Sequence, residues 1–288
     1  MKSAVEALWV ATDLELTKTK ELFPVSRHQT VINLRIGDTP DLVMISSPQI
    51  YKGPSAMGLS HEDFTTIYNY FDDNQSCRVG QGCIEFNNVN SSIKMYFETT
   101  PAIDFGIPNG LKTDPTILSD STNSLKNLLV SMPRSASSAL AGASTNCPFE
   151  QELLLHFPCL VKALVHCDVG LFQRTCLRLA GLGVGATPTA DDMIHGALIT
   201  RTYLGATGIL DPIYHELPCG LDVKTTTLGF HMLHMGQKGL AAEPVRDLLI
   251  NIFEGKDLAE SAAQVAGIGA TSGYDIMIGI YSMLEAVI

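Results

Sequence analysis

Two short stretches of the chain combine glycines with hydroxyl and carboxyl side chains, which are groups that bind small polar ligands. Residues 181–196 read GLGVGATPTADDMIHG, and residues 267–279 read GIGATSGYDIMIG. Glycine allows positive φ and a close approach of the backbone to a ligand. A glycine bend that leads into an apolar helix presents backbone N–H groups with positive dipole character, which can hold a phosphate or carboxylate. The two stretches therefore predict anion-binding loops.

The two stretches are copies of one unit. When 267–279 is aligned with 183–195, seven of thirteen positions are identical at a constant offset of 84 residues. The identities include Thr187 with Thr271 and Asp191 with Asp275. We interpret the repeat as a duplicated loop–helix unit in quasi-twofold placement, and we expect both loops to share a single pocket.

Each copy has residues suited to the start of a helix. Thr189 lies three residues before Asp192, and Ser272 three residues before Asp275. Both pairs fit an N-terminal capping pattern, and Pro188 suits a helix entry because its missing N–H is not needed there. Acids in a first turn stabilise a helix by themselves, so a purely structural role stays open.

The three aspartates raise a question of charge. Asp191, Asp192 and Asp275 would repel an anion bound directly beside them. If they cluster, they favour Mg²⁺, which prefers oxygen ligands. They could instead position an amide or ammonium group, or serve as caps. Magnesium is the only cofactor that the sequence suggests.

Three histidines are weaker candidates. His195 lies one helical turn after Asp191 and could act as a general base, but the second copy has Gly279 at that place. His231 and His234 share one helix face, yet two histidines supply too few ligands for a metal. Ordinary packing or surface roles are favoured for that pair.

Composition excludes several classes of protein. The net charge is −11, with 19 basic and 30 acidic residues, which argues against a nucleic-acid partner. We expect neither a signal peptide nor a membrane span. Seven cysteines without a C-x-x-C motif indicate reduced thiols and a cytoplasmic protein. Since only 17% of the residues are charged, we expect the chain to bury many residues, either in a thick core or against another subunit.

The chain is predicted to have an α+β fold, with a β-rich N-terminal half and a helical C-terminal half that carries the repeated loop–helix unit. Residues 30–37 and 41–47 read as a hairpin, and 61–71 as a short helix. The predicted organisation is a β-rich domain, a linker or mobile loop, and a helical domain with both loops, over 1–130, 131–148 and 149–288.

Four motifs, in the same order, resemble the AllH/YlbF-like family. These motifs are YKGPSAMGLS (51–60), the glycine run with Thr-Pro and Asp-Asp, the Thr-Thr helix from 224, and GIGATSGYDIMIG. The family's best-known member is a subunit associated with oxamate carbamoyltransferase in anaerobic allantoin degradation, a part of purine catabolism. Val184-Gly185-Ala186 replaces a frequent Pro-Gly-Leu, so substrate identity does not follow from the motif.

The resemblance implies a carbamoyl-transferring enzyme that works with other subunits of a hetero-complex. The reaction class moves a carbamoyl group between oxalurate and phosphate, giving oxamate and carbamoyl phosphate. Thr hydroxyls and loop amides would stabilise developing negative charge, and an aspartate would orient the amide nitrogen. The predicted catalytic residues are Thr187, Asp191, Asp192 and Asp275. The predicted substrate-binding residues are Gly183, Gly185, Thr271, Ser272, Gly273, Thr225, Thr226, Gly53 and Ser55. The alternative is a non-catalytic assembly or regulatory partner with a small-anion effector site.

Overall fold

The computed structural model divides into two compact units, Met1–Phe105 and Gly106–Ile288. The described residues are 3–14, 16, 18–72, 75–88, 91–132, 135–142, 148–212 and 216–288. In this part of the chain the strands are N-terminal and the longer helices C-terminal, which confirms the α+β prediction.

A single sheet forms the first unit. Its ten strands, counted in the described residues, are β1 (Ala4–Glu6), β2 (Trp9–Ala11), β3 (Lys20–His28), β4 (Val31–Ile36), β5 (Leu42–Ser46), β6 (Ala56–Gly58), β7 (Cys77–Gly80), β8 (Cys83–Asn88), β9 (Ser91–Tyr96) and β10 (Ala102–Ile103). They lie in the order β1-β9-β8-β7-β3-β4-β5-β6-β2-β10. Helix α1 (His61–Tyr70) follows β6.

The hairpin predicted around Gly37 is confirmed. Strands β4 and β5 pair antiparallel, with Ile32 opposite Ile45 and Leu34 opposite Val43. These four side chains are fully buried and belong to one core cluster. Successive side chains of a strand point to opposite faces of the sheet, so alternate apolar residues of these strands all face the core. The predicted helix at 61–71 is confirmed as α1.

Eight α-helices form the described part of the second unit. They are α2 (Pro115–Ser131), α3 (Glu150–His166), α4 (Val169–Leu179), α5 (Thr189–Ala206), α6 (Thr227–Gln237), α7 (Glu243–Glu254), α8 (Ala259–Ala266) and α9 (Ser272–Glu285). Short 3-10 helices cover Ala136–Ala141 and Leu221–Val223. In the described part of the chain, none of the helices has the length and apolarity that a membrane span needs.

The predicted linker at 131–148 stays a prediction. Its residues 133–134 and 143–147 lie outside the described residues. Between these gaps, residues 135–142 contain the 3-10 helix. Ser135, Ser137 and Ser138 are buried in this part. Helix α2, which the sequence analysis did not predict, belongs to the second unit.

The two repeated helices, α5 and α9, form the centre of the second unit. Almost every residue of α5 from Thr189 to Leu204 is buried, so this is a core helix and not an amphipathic one. A Cβ on Gly196 would lie 2.2 Å from the carbonyl oxygen of Ile276, and a Cβ on Gly279 would lie 2.1 Å from that of Met193. The helices therefore touch backbone to backbone, a contact that only glycine permits.

We predict that Gly196→Ala and Gly279→Ala each lower the free energy of unfolding by about 2–3 kcal/mol, because the added methyl group overpacks a backbone contact. Urea unfolding followed by circular dichroism measures the loss. Gly170→Ala is the matched control, since this exposed helical glycine has only the flexible Arg174 side chain and Asp168 nearby. Equal stability of all three variants would contradict the close helix contact.

Candidate functional site

The structure brings the two repeated loops together. The hydroxyl oxygens of Thr187, at the end of the first loop, and Ser272, at the end of the second, are 3.0 Å apart. We call this contact the loop junction. The tips of both loops, at 184–186 and 269–270, are exposed. The junction therefore lies next to the surface, with two glycine bends above it.

The first loop depends on Gly183. This residue has φ +128°, and a Cβ there would lie 2.4 Å from the backbone nitrogen of Thr189. A side chain would thus be strained by its backbone conformation and would also collide with the start of α5. Gly185, with φ +106°, is likewise in a region that L side chains rarely adopt.

Helices α5 and α9 begin at the junction without the side-chain caps that we predicted. The N-cap residues are Pro188 and Thr271, and neither makes a side-chain cap hydrogen bond. Thr189 and Ser272 are instead the first helical residues, so the predicted capping roles are wrong. Backbone carbonyl groups of the loops accept hydrogen bonds from free amides of the first turns instead. The amide of Ala190 donates to the carbonyl of Leu182 (3.0 Å), and the amide of Gly273 donates to the carbonyl of Ile268 (3.0 Å).

The two helices run in the same direction. Thr187 and Ser272 meet where the two helices begin, and the contacts of Gly196 and Gly279 lie about two turns further along each helix. Their N-termini therefore lie side by side. Aligned peptide dipoles place the positive ends of both helices at the loop junction, where they favour a negative group.

Asp192 lies directly beneath the junction. It is 2% exposed and accepts a hydrogen bond from the Thr187 hydroxyl at 3.1 Å. Burial raises the pKa of Asp192 to about 8; a hydrogen bond from Ser272 opposes the rise, and the nearby charge of Asp275 adds to it. At neutral pH this carboxyl group is therefore mostly protonated and adds little negative charge to the site.

Asp191 ties the first loop to the start of α6. Its carboxylate accepts a hydrogen bond from the Thr225 hydroxyl, and a second from the Gly181 amide at 2.9 Å. Gly229 makes room for this contact, because a Cβ there would lie 2.4 Å from Asp191 Oδ2. Burial raises the pKa of Asp191, and the Thr225 and Gly181 donors oppose that rise.

Asp275 has partners that sequence reasoning missed. Its Oδ1 accepts hydrogen bonds from the hydroxyls of Ser135 (2.6 Å) and Ser137 (2.5 Å). Asp275 is fully buried, and burial raises its pKa, against the effect of the two serine donors. Both serines lie in the segment predicted to be a linker, where small polar residues indicate flexibility as readily as burial.

Thr226 attaches a third segment to the first loop. Its hydroxyl donates to the carbonyl of Ala186 at 2.5 Å and accepts from the amide of Gly229 at 2.9 Å, which caps α6. Thr225 and Thr226 therefore bind the first loop from the side, as hydroxyl donors.

Gly53 and Ser55 lie in the first unit and are described there alone. Both are buried, just ahead of β6. The Ser55 hydroxyl donates to Asp13 at 2.7 Å, and its amide donates to the same carboxylate at 2.9 Å. Their predicted role in substrate binding stays a prediction.

Two of the three candidate histidines, His195 and His231, are interior residues. His195 is buried, and its Nδ1 lies 2.7 Å from the carbonyl of Met232, so this nitrogen carries the proton. Burial lowers the pKa of His195 to about 4, which leaves a neutral ring at physiological pH. His231 is also buried, whereas His234 packs edge-on against Phe230.

The carboxylates do not form a metal cluster. In the described residues, no group of three or more His, Cys, Asp or Glu side chains has an arrangement that could hold a metal ion. Asp191, Asp192 and Asp275 each bind hydroxyl or amide donors from different segments. Magnesium therefore stays a prediction from the sequence, and we derive no chemistry through a metal.

We predict that Asp192 makes the free energy of unfolding fall as the pH rises from about 4 to about 8, whereas the lowered pKa of His195 acts in the opposite direction below about 6.5. Folded Asp192 holds its proton through this range whereas an unfolded aspartate loses it, so the folded state becomes relatively less stable as protons are removed. The contribution of Asp192 is on the order of a few kcal/mol. Urea unfolding at several pH values measures the decline.

Asp192→Asn should flatten this pH dependence, because the amide cannot ionise. Asp222→Asn, at an exposed position, is the control and should leave the dependence unchanged. An Asp192→Asn variant with the same pH dependence as the native chain would show that this carboxyl group is not the source.

Comparison with known proteins agrees with the predicted resemblance. The family model described as oxamate carbamoyltransferase subunit AllH matches residues 179–284. This range contains both loops, α5, α6 and all of α9 except its last residue, but not the YKGPSAMGLS segment. No curated protein and no solved structure matched the chain. The resemblance predicted from the motifs is therefore confirmed: the segment that builds the loop junction is similar to the AllH family of oxamate carbamoyltransferase subunits.

Proposed function

We propose that this chain is a subunit of a carbamoyl-transferring enzyme and that its loop junction binds a small anionic substrate. The observation that carries the proposal is the 3.0 Å contact between Thr187 and Ser272, which joins two glycine loops at adjacent helix N-termini. The family match supports the enzyme class. Substrates of the carbamoyl phosphate, oxamate or oxalurate type are small and anionic, as such a site requires.

The charge of the site is compatible with an anion. Two parallel helices direct their positive ends toward the junction. Asp192, directly below, opposes this field less than an ionised aspartate would, because burial raises its pKa to about 8. Burial shifts the pKa of Asp191 and Asp275 in the same direction. The aspartates therefore repel an anion at the junction less strongly than their number suggests.

In the proposed reaction, some residues of the site contact the substrate and others hold those residues in place. An oxygen of hydrogen phosphate attacks the carbamoyl carbon of oxalurate, the bond from that carbon to the oxamate nitrogen breaks, and the nitrogen takes up the proton that the phosphate loses. Negative charge develops on the carbamoyl oxygen, where the loop amides act as donors together with the Thr187 and Ser272 hydroxyls, which turn from Asp192 toward the substrate to do so. Asp192 holds the two hydroxyls from below. Asp191 binds the Gly181 amide at the first loop, and Asp275 binds Ser135 and Ser137 beneath the second loop.

Burial of the carboxyl groups also supports the second candidate, a non-catalytic assembly or regulatory subunit with an anion effector site. Each of the three aspartates is at most 2% exposed, and their observed hydrogen-bond partners are groups of the chain itself. In that case the aspartates only hold the loops together, and the junction binds an effector.

We predict that Thr187→Val and Ser272→Ala each reduce carbamoyl phosphate formation by about 10²-fold or more, because each removes a donor from the transition state. The measurement uses the complex reconstituted with this chain, supplied with oxalurate and phosphate. Ser124→Ala is the control, since the hydroxyl of that exposed serine on α2 donates to the carbonyl of Asp120 in its own helix (2.9 Å) and has no other hydrogen bond in the described residues.

Joint replacement of Asp191 and Asp275 by Asn separates the two candidates. The enzyme proposal predicts that turnover falls, because Thr225, Ser135 and Ser137 lose their carboxylate partners and both loops are held less firmly. Full turnover in this variant, together with full turnover of Thr187→Val, would exclude a catalytic junction and leave the regulatory role.

A further inference from the structure

Three oxygen atoms beneath the second loop form a closed triangle. Ser135 Oγ and Ser137 Oγ lie 2.6 Å and 2.5 Å from Asp275 Oδ1, and 2.8 Å from each other. All three residues are buried, with Ser135 the most exposed at 8%. Every side of the triangle is a hydrogen-bond distance.

The number of protons determines the charge of this triangle. Each serine hydroxyl supplies one proton, and an ionised carboxylate supplies none. With an ionised Asp275, the two serine protons can fill only two of the three oxygen–oxygen contacts. The two oxygens of the third contact would then face each other with lone pairs only. Such an arrangement is costly away from water. A third proton, on Asp275, lets each oxygen donate once and accept once around the triangle.

Backbone contacts around the triangle do not supply the missing proton to Asp275. The amide of Ser137 donates to Ser135 Oγ at 3.1 Å, and the amide of Ser135 donates to Ser138 Oγ at 2.8 Å. The hydroxyls of Thr271 and Thr189 lie near this carboxyl group and lower its pKa, yet Asp275 Oδ2 has no partner at hydrogen-bond distance in the described part of the chain. An ionised Asp275 would therefore leave a buried, charged oxygen with only long contacts to hydroxyl groups.

We propose that Asp275 is the neutral acid in the folded protein and that Ser135 and Ser137 are positioning residues, which share three protons with it beneath the second loop. The consequence for the loop junction rests on the proposed function: an uncharged Asp275 lets an anion bind above it. Asp192, facing it from α5, is the titratable group whose charge is coupled to it. The serines fix the first turn of α9 and thereby the place of Ser272.

Infrared difference spectroscopy of the full chain, with isotope-labelled aspartate, tests the proposal. At neutral pH, Asp275→Asn should remove one carbonyl band of a protonated carboxyl group. Ser135→Ala and Ser137→Ala should shift that band, because each removes one partner. Ser137→Thr, which keeps the hydroxyl, should restore the native position.

Ser138→Ala is the matched control. Its hydroxyl is buried in the same segment and accepts from the Ser135 amide, so its loss costs stability, yet it does not contact Asp275. This variant should leave the band unmoved. If Asp275→Asn does not fold, the serine variants still decide the outcome on a chain with native Asp275.

Two results would overturn the proposal. One is an Asp275→Asn difference spectrum that loses only a carboxylate band. The other is a protonated band that neither serine variant moves. The measurement needs no substrate or partner subunit, so it can fail while the loops still bind anions, and it can succeed when turnover assays exclude a catalytic role.

Discussion

The backbone contact between α5 and α9 is the constraint on which the rest of the site depends. Because Gly196 and Gly279 have no side chains, the two helices approach until a backbone carbonyl lies where a Cβ would be. This approach, with both helices pointing the same way, places their N-termini and loops side by side. Larger residues at the two positions would move the helices apart and separate Thr187 from Ser272.

Parallel helices at close contact carry an electrostatic cost, because their positive ends are adjacent. A negative group at the junction offsets that cost. The chain supplies three carboxyl groups there but buries them, and burial favours their protonated forms. The positive field of the helices is thus only partly neutralised by the protein, which is the condition under which an external anion binds well.

Much of this arrangement was predictable from the sequence, and the exceptions have physical reasons. The repeat at 183 and 267 predicted that two equivalent loops meet, because copies of one unit tend to pack as partners. The caps were assigned wrongly since Thr and Ser at 189 and 272 fit a capping pattern locally, whereas the loop carbonyls of Leu182 and Ile268 receive the amides instead.

Helix α2 and the serine segment were missed for a different reason. Serine and threonine are frequent in α2, and both have modest helix propensity, so its start depends on a specific cap: Asp114, whose side chain accepts from the amides of Thr116 and Ile117. Ser135 and Ser137 gain their role only from Asp275, which is about 140 residues away in the chain. Local composition carries no information on such a contact.

Amide chemical shifts provide the most direct test that both loops serve one ligand. In a titration of the full-length chain with inorganic phosphate and then carbamoyl phosphate, the amides of Gly183 and Gly185 in the first loop and Gly269 and Gly273 in the second should shift together. The account predicts one dissociation constant for all four. Shifts confined to one loop, or different constants for the two loops, would contradict a shared anion site.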